Sequence, residues 1–311
     1  MAKTIVVLGS FVADVAFRMG RLPAWGETVL GSGLALGPGG KGSNQAVAAA
    51  RALQGSGARV RIASRVGDDA FGQIAHATWE AAGVEASLVD VGGVPTGSAA
   101  ILIDEVSGNN AIVVVPGACY TLTPEDVDRM AEAIRGAKVL LVQLELPLAT
   151  VQRGLEIARA AGVTTILNPA PAVPLSEEML SLVDYLTPNE SEAALLTGLP
   201  VETVEQAEVC ARALLERGPK VVILTLGERG AIACARGGEP VFVPAFHAGP
   251  VVETTGAGDA FCGGFAAALL EGKALSEAVR FGCATAGISV TRAGTAPSMP
   301  QRAEIEALLR G

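Results

Sequence analysis

The sequence lacks any apolar run long enough to cross a membrane. Half of its 311 residues are apolar, but the longest candidate run, Val139–Val151, is broken by Gln143, Glu145 and Pro147. A membrane-spanning helix needs roughly 18 apolar residues. The apolar run near the N-terminus is short and has no small-residue cleavage site, so it predicts a first strand and not a signal peptide. We therefore expect a soluble protein without a membrane partner.

Histidine and cysteine are too scarce or too scattered for several kinds of site. With His76 and His247 as its two histidines, the sequence is not expected to form a histidine metal site or a Ser-His-Asp triad. The five cysteines form no close pair, which is typical of free thiols in a reducing, cytoplasmic compartment. A net charge of −9 argues against a nucleic-acid-binding surface.

The sequence does contain a regular alternation of strands and helices. Short apolar runs such as Ile5–Leu8 predict strands buried on both faces, with helical patterns between them. This alternation predicts an α/β fold in which helices cover both faces of a mainly parallel sheet. Asp14 is placed in the loop after the first strand, where open α/β sheets bind ligands; a solvated loop residue is the alternative. The other predicted elements are strands Val60–Ala63, Val139–Val142, Thr164–Leu167, Tyr185–Leu186 and Val221–Leu224, helices Phe71–Ala82, Pro124–Arg135, Leu148–Ala161, Glu190–Thr197 and Val204–Arg217, and two final helices.

Two β-rich insertions interrupt the alternation, at about residues 15–40 and 94–116. The second contains the strand patterns Ala99–Ile103 and Ala111–Val115 around a polar turn. We expect the insertions to form a small extra sheet, which is either a lid over a site or an extension of the main sheet's edge. No repeat or linker divides the chain, so residues 1–311 are predicted to form a single domain.

The stretch Val252–Phe261 carries the clearest chemical signal. Gly256 and Gly258 permit a tight turn at the start of a helix, whose first N–H groups and dipole attract an anion. A carboxylate beside a bound anion is unfavourable unless it takes part in the chemistry. Asp259 is therefore predicted to take a proton from a hydroxyl that attacks a bound phosphate. The alternative is a plain turn followed by a first-turn acid.

The run Gly39–Gln45 also leads glycines into a helix. It is not a Walker A loop, because Gly42 follows Lys41 and alanine stands at position 35, where that motif has glycine. Close backbone approach by a polar ligand would suit these glycines, and Asn44 would face that ligand one turn into the helix. The alternative is a glycine-rich turn with an asparagine cap.

Polar groups also follow three later strands. Glu145 lies just beyond Val139–Val142. Asn189 and Glu192 share one helix face at i, i+3 spacing, which suits a hydrated Mg²⁺ near a phosphate or, equally, a capping pair. The glycine loop Thr225–Gly230 ends a third strand and is a common turn by itself.

Two signatures, Gly39–Ala46 and Glu253–Phe261, resemble those of the PfkB-type carbohydrate kinases, and most closely their ribokinase branch. The resemblance extends over essentially the whole chain and implies a three-layer αβα sandwich with a β-sheet lid that often forms a homodimer. It also implies ATP-dependent phosphorylation of a sugar's primary hydroxyl, which is O5 in D-ribose. Between the signatures, further matching runs follow in the family's order: Gln143–Glu145, Asn168–Pro171, Thr187–Glu190 and Thr225–Gly227.

The resemblance implies roles for individual residues as well. The catalytic base would be Asp259, with an anion hole formed by Gly256, Ala257 and Gly258. Sugar hydroxyls would be bound by Asp14, Gly40, Lys41, Asn44, Glu145 and Asp259. ATP would be bound by Asn189, Thr225, Leu226, Gly227, Glu228, Arg229, Gly230 and Gly258. Mg²⁺ would be held through water by Glu192, and a monovalent cation, usually K⁺, by Glu253, Thr255, Ser289, Arg292, Gly294 and Ser298.

Two residues depart from the ribokinase pattern. Val12 stands where an asparagine usually precedes Asp14 by two residues, so a ribose hydroxyl facing it would lose a hydrogen bond. This predicts weaker ribose binding or a substrate that is less polar there, such as 2-deoxyribose. Glu253 replaces the usual aspartate, which puts activation by K⁺ in question. The alternatives to a small-sugar kinase are a nucleoside kinase and, from another class, a catalytically silent sugar or nucleotide sensor.

Overall fold

The computed structural model describes residues 3–88 and 93–311, and its centre is a nine-stranded sheet. Seven of its strands run parallel, whereas the last two at one edge, Gly230–Ala235 and Val241–Pro244, are antiparallel. The predicted mainly parallel sheet is therefore confirmed. In spatial order the strands are β13 (Val241–Pro244), β12 (Gly230–Ala235), β11 (Val221–Thr225), β10 (Tyr185–Leu186), β9 (Thr164–Leu167), β8 (Val139–Val142), β1 (Thr4–Leu8), β4 (Arg59–Ser64) and β5 (Val84–Leu88).

Helices pack on both faces of this sheet. Because side chains alternate along a strand, β1 directs Ile5 and Val7 into one apolar core and Val6 and Leu8 into the other. Within the described residues, no helix is both long and apolar enough to span a membrane. The helices are α1 (Lys41–Ala52), α2 (Ala70–Ala82), α3 (Pro124–Arg129), α4 (Ala131–Arg135), α5 (Leu148–Ala160), α6 (Glu177–Ser181), α7 (Glu190–Thr197), α8 (Val204–Glu216), α9 (Ala257–Glu271), α10 (Leu275–Ser289) and α11 (Arg302–Arg310).

A separate four-stranded sheet, called here the second sheet, completes the fold and confirms the predicted extra sheet. Its strand register decides which side chains share a face, because residues paired across strands point to the same side. Asp14 pairs with Ala99, which pairs with Val114, so these three lie on one face. The opposite face carries Val15 and its partner Leu36. In spatial order the strands are β3 (Gly33–Gly39), β2 (Val12–Met19), β6 (Gly97–Asp104) and β7 (Asn110–Val115).

The structure corrects four local predictions. Asp14 is not in a loop but on β2, because the chain enters the second sheet only three residues after β1 ends. The single helix predicted over 124–135 is two helices, since the backbone leaves the helical conformation at Met130. Strands β5, β12 and β13 were not predicted; β12 and β13 follow β11 without an intervening α-helix and so depart from the alternation on which the prediction rested. The chain ends in three helices, not two.

Candidate active site

Two glycine-rich helix starts meet beyond the carboxyl ends of the central strands. Helix α1 begins after Gly40 and α9 begins after Gly256, and both glycines have φ near 80° (83° and 82°), a conformation that side chains disfavour. Gly42 lies against the end of β1, where a Cβ would come within 2.5 Å of Ser10 N. Gly263 on α9 brings that helix equally close to α1. Because glycine has no side chain at these positions, α1 and α9 can lie side by side.

The Asp259 carboxylate lies in the first turn of α9 and is buried. Its Oδ2 accepts a hydrogen bond from Asn44 Nδ2 at 3.0 Å, and its Oδ1 accepts one from Gln45 Nε2 at 2.9 Å. Both donors come from α1, so the structure brings the predicted Asn44 and Asp259 together. A carboxylate held in this way is oriented and accessible to proton transfer at the edge of a cavity.

Three buried amides around Asp259 were not predicted as site residues. Gln45 donates to Asn168 Oδ1 at 3.1 Å as well as to Asp259, and Gln143 Nε2 donates to Gln45 Oε1 at 2.6 Å. Asn168 Nδ2 in turn donates to Thr187 O at 2.9 Å. The signal in the sequence was their place in matching runs: Gln45 follows Asn44, and Gln143 and Asn168 each follow a buried strand.

Glu145 joins the end of β8 to the start of α1. Its Oε2 accepts from Lys41 N at 2.8 Å and from Ser10 Oγ. Burial lowers the pKa of the Lys41 ammonium, but the carboxylates of Asp259, Glu145 and Glu192 outweigh burial, so the pKa lies above its ordinary value. Lys41 is therefore a fixed positive charge among acidic groups.

Asp14 approaches the same region from the second sheet. A Cβ on Gly39 would lie 2.4 Å from its carboxylate, so glycine at that position leaves room for it. Burial, together with the charges of Glu145, Glu253 and Asp259, raises the pKa of Asp14 to about 6. The Asp14 carboxyl thus gives up its proton within a pH range accessible to experiment.

A cavity of about 150 Å³ opens beside Asp259. A Cβ on Gly258 would meet no atom within 4 Å, so the start of α9 faces open space, as an anion site requires. The Ala257 N–H, by contrast, donates to Thr254 O at 3.1 Å and already has an acceptor. The lining residues include Lys41, Asn168, Thr187, Asn189, Glu192, Thr225, Gly256, Gly258, Asp259 and Cys262.

Asn189 and Glu192 form a reciprocal capping box at the start of α7. The Glu192 N–H donates to Asn189 Oδ1 at 2.8 Å, and the Glu192 carboxylate accepts from Asn189 N and Nδ2 at 2.9 and 3.0 Å. Burial raises the pKa of Glu192. The capping alternative is therefore present, and the same carboxylate still lines the cavity.

The glycine loop after β11 lies next to this capping box, because Asn189 and Thr225 form a β-bridge. Leu226 is buried, so only its backbone can face a ligand. Gly227–Arg229 forms a short 3₁₀ turn in which Arg229 pairs with Glu190 at 3.3 Å. The loop thus offers backbone groups and the exposed Glu228 beside the cavity.

The residues implied for a monovalent cation lie around one loop near the start of α9. Glu253 Oε2 accepts from Gly294 N at 2.8 Å, and Ser298 Oγ donates to Thr295 O at 2.7 Å. The Arg292 side chain pairs with Glu304, so it can offer only its carbonyl. Within residues 3–88 and 93–311, no group of three or more His, Cys, Asp and Glu side chains is arranged to hold a metal. Ser289 and the exposed Thr255 flank the same region.

The known proteins that this chain resembles are kinases that act on sugars, in agreement with the geometry of the site. A ribokinase of Haemophilus influenzae is 42% identical over 98% of this chain and 97% of its own. A deoxyribokinase of Salmonella typhi is 36% identical over 95% of each chain. The solved structure of Arabidopsis thaliana ribokinase complexed with ribose and ATP matches with a TM-score of 0.92, 35% identity and full coverage of both chains. The model of the pfkB family of carbohydrate kinases matches residues 2–302, and the chain belongs to this family of enzymes, which transfer a phosphoryl group to a sugar hydroxyl.

Proposed function

We propose that the protein transfers the γ-phosphoryl group of ATP to O5 of D-ribose and forms ribose 5-phosphate. The observation that carries this proposal is the buried Asp259 carboxylate, which Asn44 and Gln45 hold at the start of α9. A base in this position lies between an anion-attracting helix start and polar groups suited to a sugar. The ribokinase of Haemophilus influenzae and the ribose- and ATP-bound Arabidopsis enzyme support ribose as the substrate.

The sugar hydroxyls are bound by groups from three parts of the chain. Asn44 Oδ1 is buried and has no hydrogen-bond partner among the described residues, so it is free to accept from a hydroxyl. Asp14 and Glu145 supply acceptors and Lys41 a donor, and the backbone at Gly40 permits close approach. A ring of hydroxyls needs this mixture of donors and acceptors.

Phosphoryl transfer follows when the primary hydroxyl gives its proton to Asp259 and attacks the γ-phosphorus in line with the departing ADP. The helix start at Gly256, Ala257 and Gly258 forms the anion hole for the transferring group. Gly258 faces open space and is ready for this role, whereas the Ala257 N–H must first leave Thr254 O. Positioning and charge neutralisation carry most of the catalysis.

ATP is bound by Asn189, Gly258 and the loop formed by Thr225, Leu226, Gly227, Glu228, Arg229 and Gly230. The buried Glu192 carboxylate keeps lone pairs beyond its two bonds to Asn189, so it can hold Mg²⁺ through water. Bound Mg²⁺ would neutralise charge on the phosphates. A monovalent cation, K⁺ by the family's pattern, is assigned to Glu253, Thr255, Ser289, Arg292, Gly294 and Ser298.

Coupled measurement of ADP release over a panel of sugars tests the function. The panel contains ribose, 2-deoxyribose, other pentoses, hexoses and nucleosides, each with MgATP and with or without K⁺. We expect the highest kcat/KM for ribose. Preference for a nucleoside would reassign the substrate, and no turnover on any member would favour a sugar or nucleotide sensor.

The second candidate substrate is 2-deoxyribose, and Val12 favours it. Val12 and Asp14 are two residues apart on β2, so both point to the same face of the second sheet. Asp14 interacts on that face with the charges of Glu145 and Asp259. The apolar Val12 side chain there suits a sugar that lacks one hydroxyl, and a deoxyribokinase is among the relatives at 36% identity. A higher kcat/KM for 2-deoxyribose than for ribose would select this candidate.

The raised pKa of Asp14 predicts how sugar binding depends on pH. The ionised carboxylate accepts hydrogen bonds from hydroxyls, and its pKa of about 6 means that it becomes protonated as the pH falls through 6. We therefore expect KM for the sugar to rise below pH 6 while KM for ATP changes little. In Asp14→Asn the sugar KM should be high at every pH and lose this dependence. An unchanged dependence in that variant would contradict the assignment.

The second sheet was expected within about residues 15–40 and 94–116, but β2 begins earlier, at Val12. This sheet is proposed to act as a lid on a single domain of residues 1–311 and to form a homodimer. The face opposite Asp14 exposes a cluster of apolar side chains, which contact no other part of the described chain closely enough to be buried. An apolar surface of this kind favours a protein interface. Its members are Phe17, Leu34, Leu36, Val113 and Val115.

A lysine in this apolar cluster should break the dimer. Val113 is 64% exposed, so Val113→Lys is tolerated in a monomer but would bury a charge at the interface. Light scattering after size exclusion should give two copies for the natural chain and one for Val113→Lys. The matched control is Val209→Lys on α8, where the valine is 59% exposed. A single copy for the natural chain would refute the dimer.

A further inference from the structure

We propose that Gln45 is a positioning residue that fixes the rotation of the Asp259 carboxylate and leaves Oδ2 as the oxygen that receives the proton. The inference rests on the proposed function and adds a residue to its site. Gln45 is completely buried on α1, one residue after Asn44. Its two amide hydrogens are donated to Asp259 Oδ1 at 2.9 Å and to Asn168 Oδ1 at 3.1 Å.

The direction of these hydrogen bonds is set from both ends. An ionised carboxylate can only accept, so Gln45 must turn its nitrogen toward Asp259. Thr187 O can also only accept, so Asn168 must donate its nitrogen there and present its oxygen to Gln45. Two independent constraints therefore select the same orientation of the Gln45 amide.

A hydrogen bond from Gln143 also favours this orientation of the Gln45 amide. Its Nε2 donates to Gln45 Oε1 at 2.6 Å, which completes the hydrogen bonding of the Gln45 side chain. Gln143 Oε1 is left buried without a hydrogen-bond partner among the described residues. A flip of the Gln143 amide would turn Oε1 toward Gln45 Oε1 and place two acceptors together, so the observed orientation is favoured although it leaves Oε1 unpaired. The chain of amides Gln143, Gln45 and Asn168 thus has one stable arrangement.

The two carboxylate oxygens of Asp259 therefore have different surroundings. Asn44, which binds Oδ2 at 3.0 Å, is assigned to the sugar, and its own Oδ1 has no partner among the described residues. A hydroxyl bound by Asn44 therefore lies on the Oδ2 side of the Asp259 carboxylate, which itself lines the cavity. Gln45 binds Oδ1 from the interior and has no free hydrogen to exchange. When the hydroxyl O–H bond breaks, the proton passes to Oδ2. The sugar oxygen then bonds the γ-phosphorus, whose bond to the bridging oxygen breaks, and the electron pair leaves with ADP.

Gln45→Met tests this role, because methionine fills a similar volume without a donor. A carboxylate free to rotate should lower kcat about 10- to 100-fold, while KM for the sugar stays within about threefold. The matched control is Gln152→Met on α5; the Gln152 amide donates to Glu156 at 3.2 Å, and this variant should retain full activity. If the natural chain turns over and Gln45→Met keeps its kcat within twofold, the inference is wrong and the proposed function stands. If the natural chain phosphorylates no sugar, both are wrong.

Gln45→Glu provides a readout that a merely structural role would not move. A second carboxyl beside Asp259 disfavours ionisation of the pair, so the acid limb of kcat against pH should move upward by about one unit. If circular dichroism shows that Gln45→Met does not fold, the pH dependence of kcat in Gln45→Glu still tests the inference. An acid limb that coincides with that of the natural chain would overturn the inference.

Discussion

Asp259→Asn should lower kcat by about 10²- to 10⁴-fold, because an amide cannot accept the hydroxyl proton in the transition state. ATP affinity should change only a few-fold, since Asn189 and the loop after β11 lie elsewhere in the cavity. The substitution also turns an amide nitrogen toward Asn44 or Gln45, both of which donate. We therefore expect a lower Tm as well. Coupled kinetics and nucleotide titration calorimetry measure the two effects separately.

The control for this variant is another first-turn acid. Glu277 lies in the first turn of α10, where its carboxylate accepts from Ala274 N at 3.1 Å. Glu277→Gln should cost a few tenths of a kcal/mol to about 1 kcal/mol of stability and no activity. If Asp259→Asn behaved like Glu277→Gln, with only a few-fold loss of kcat, Asp259 would be a capping residue and not the base.

Gly42→Ala should destabilise the protein by about 1–3 kcal/mol and remove most activity. Helix propensity alone predicts the opposite, a gain of about 1 kcal/mol for alanine within a helix. The steric effect is larger here, because the new Cβ would lie 2.5 Å from backbone atoms of Gly9 and Ser10 that cannot move independently. A shift of α1 would also displace Asn44 and Gln45 from Asp259. Thermal unfolding and kcat measure both consequences.

Gly238→Ala is the matched control, since a Cβ there would lie no closer than 3.6 Å to its neighbours. Its Tm and kcat should stay near those of the natural chain. A Gly42→Ala protein with unchanged or raised Tm would show that α1 can move away from β1. The proposed dependence of the site on this close approach would then fail.

The central sheet could be predicted well because a strand buried on both faces is a short, continuous apolar run in the sequence. Strands β8 and β9, Val139–Val142 and Thr164–Leu167, have the predicted bounds. Residues just beyond such strands share one edge of a parallel sheet, which explains why Glu145 could be placed there in advance. Asn44 and Asp259 were predicted at helix starts and were grouped with Glu145 by the resemblance to the PfkB-type kinases. Their roles as sugar-binding and catalytic groups remain predictions that the variants above test.

Other features depend on contacts that a local pattern does not contain. Asp14 lies on β2, which pairs with β3 on one side and with the distant β6 on the other, so the local sequence pattern does not reveal its position in the second sheet. Gln45 and Asn44 are adjacent on α1, and only the position of α9 decides that both reach Asp259. The capping box of Asn189 and Glu192 was one of two predicted possibilities, and the sequence could not choose between them.

The order of strands in the central sheet has a consequence for synthesis of the chain. From β1 the sheet grows to β4 and β5 on one side and then, strand by strand in sequence order, from β8 to β13 on the other. Helix α9 follows the last edge strand yet returns to pack against α1 in the first core. A nascent chain can therefore build most of its sheet on the ribosome, where N-terminal parts fold first, before Asp259, the proposed base, has been synthesised. Under the proposed function, kinase activity therefore appears only after α9 has packed against α1.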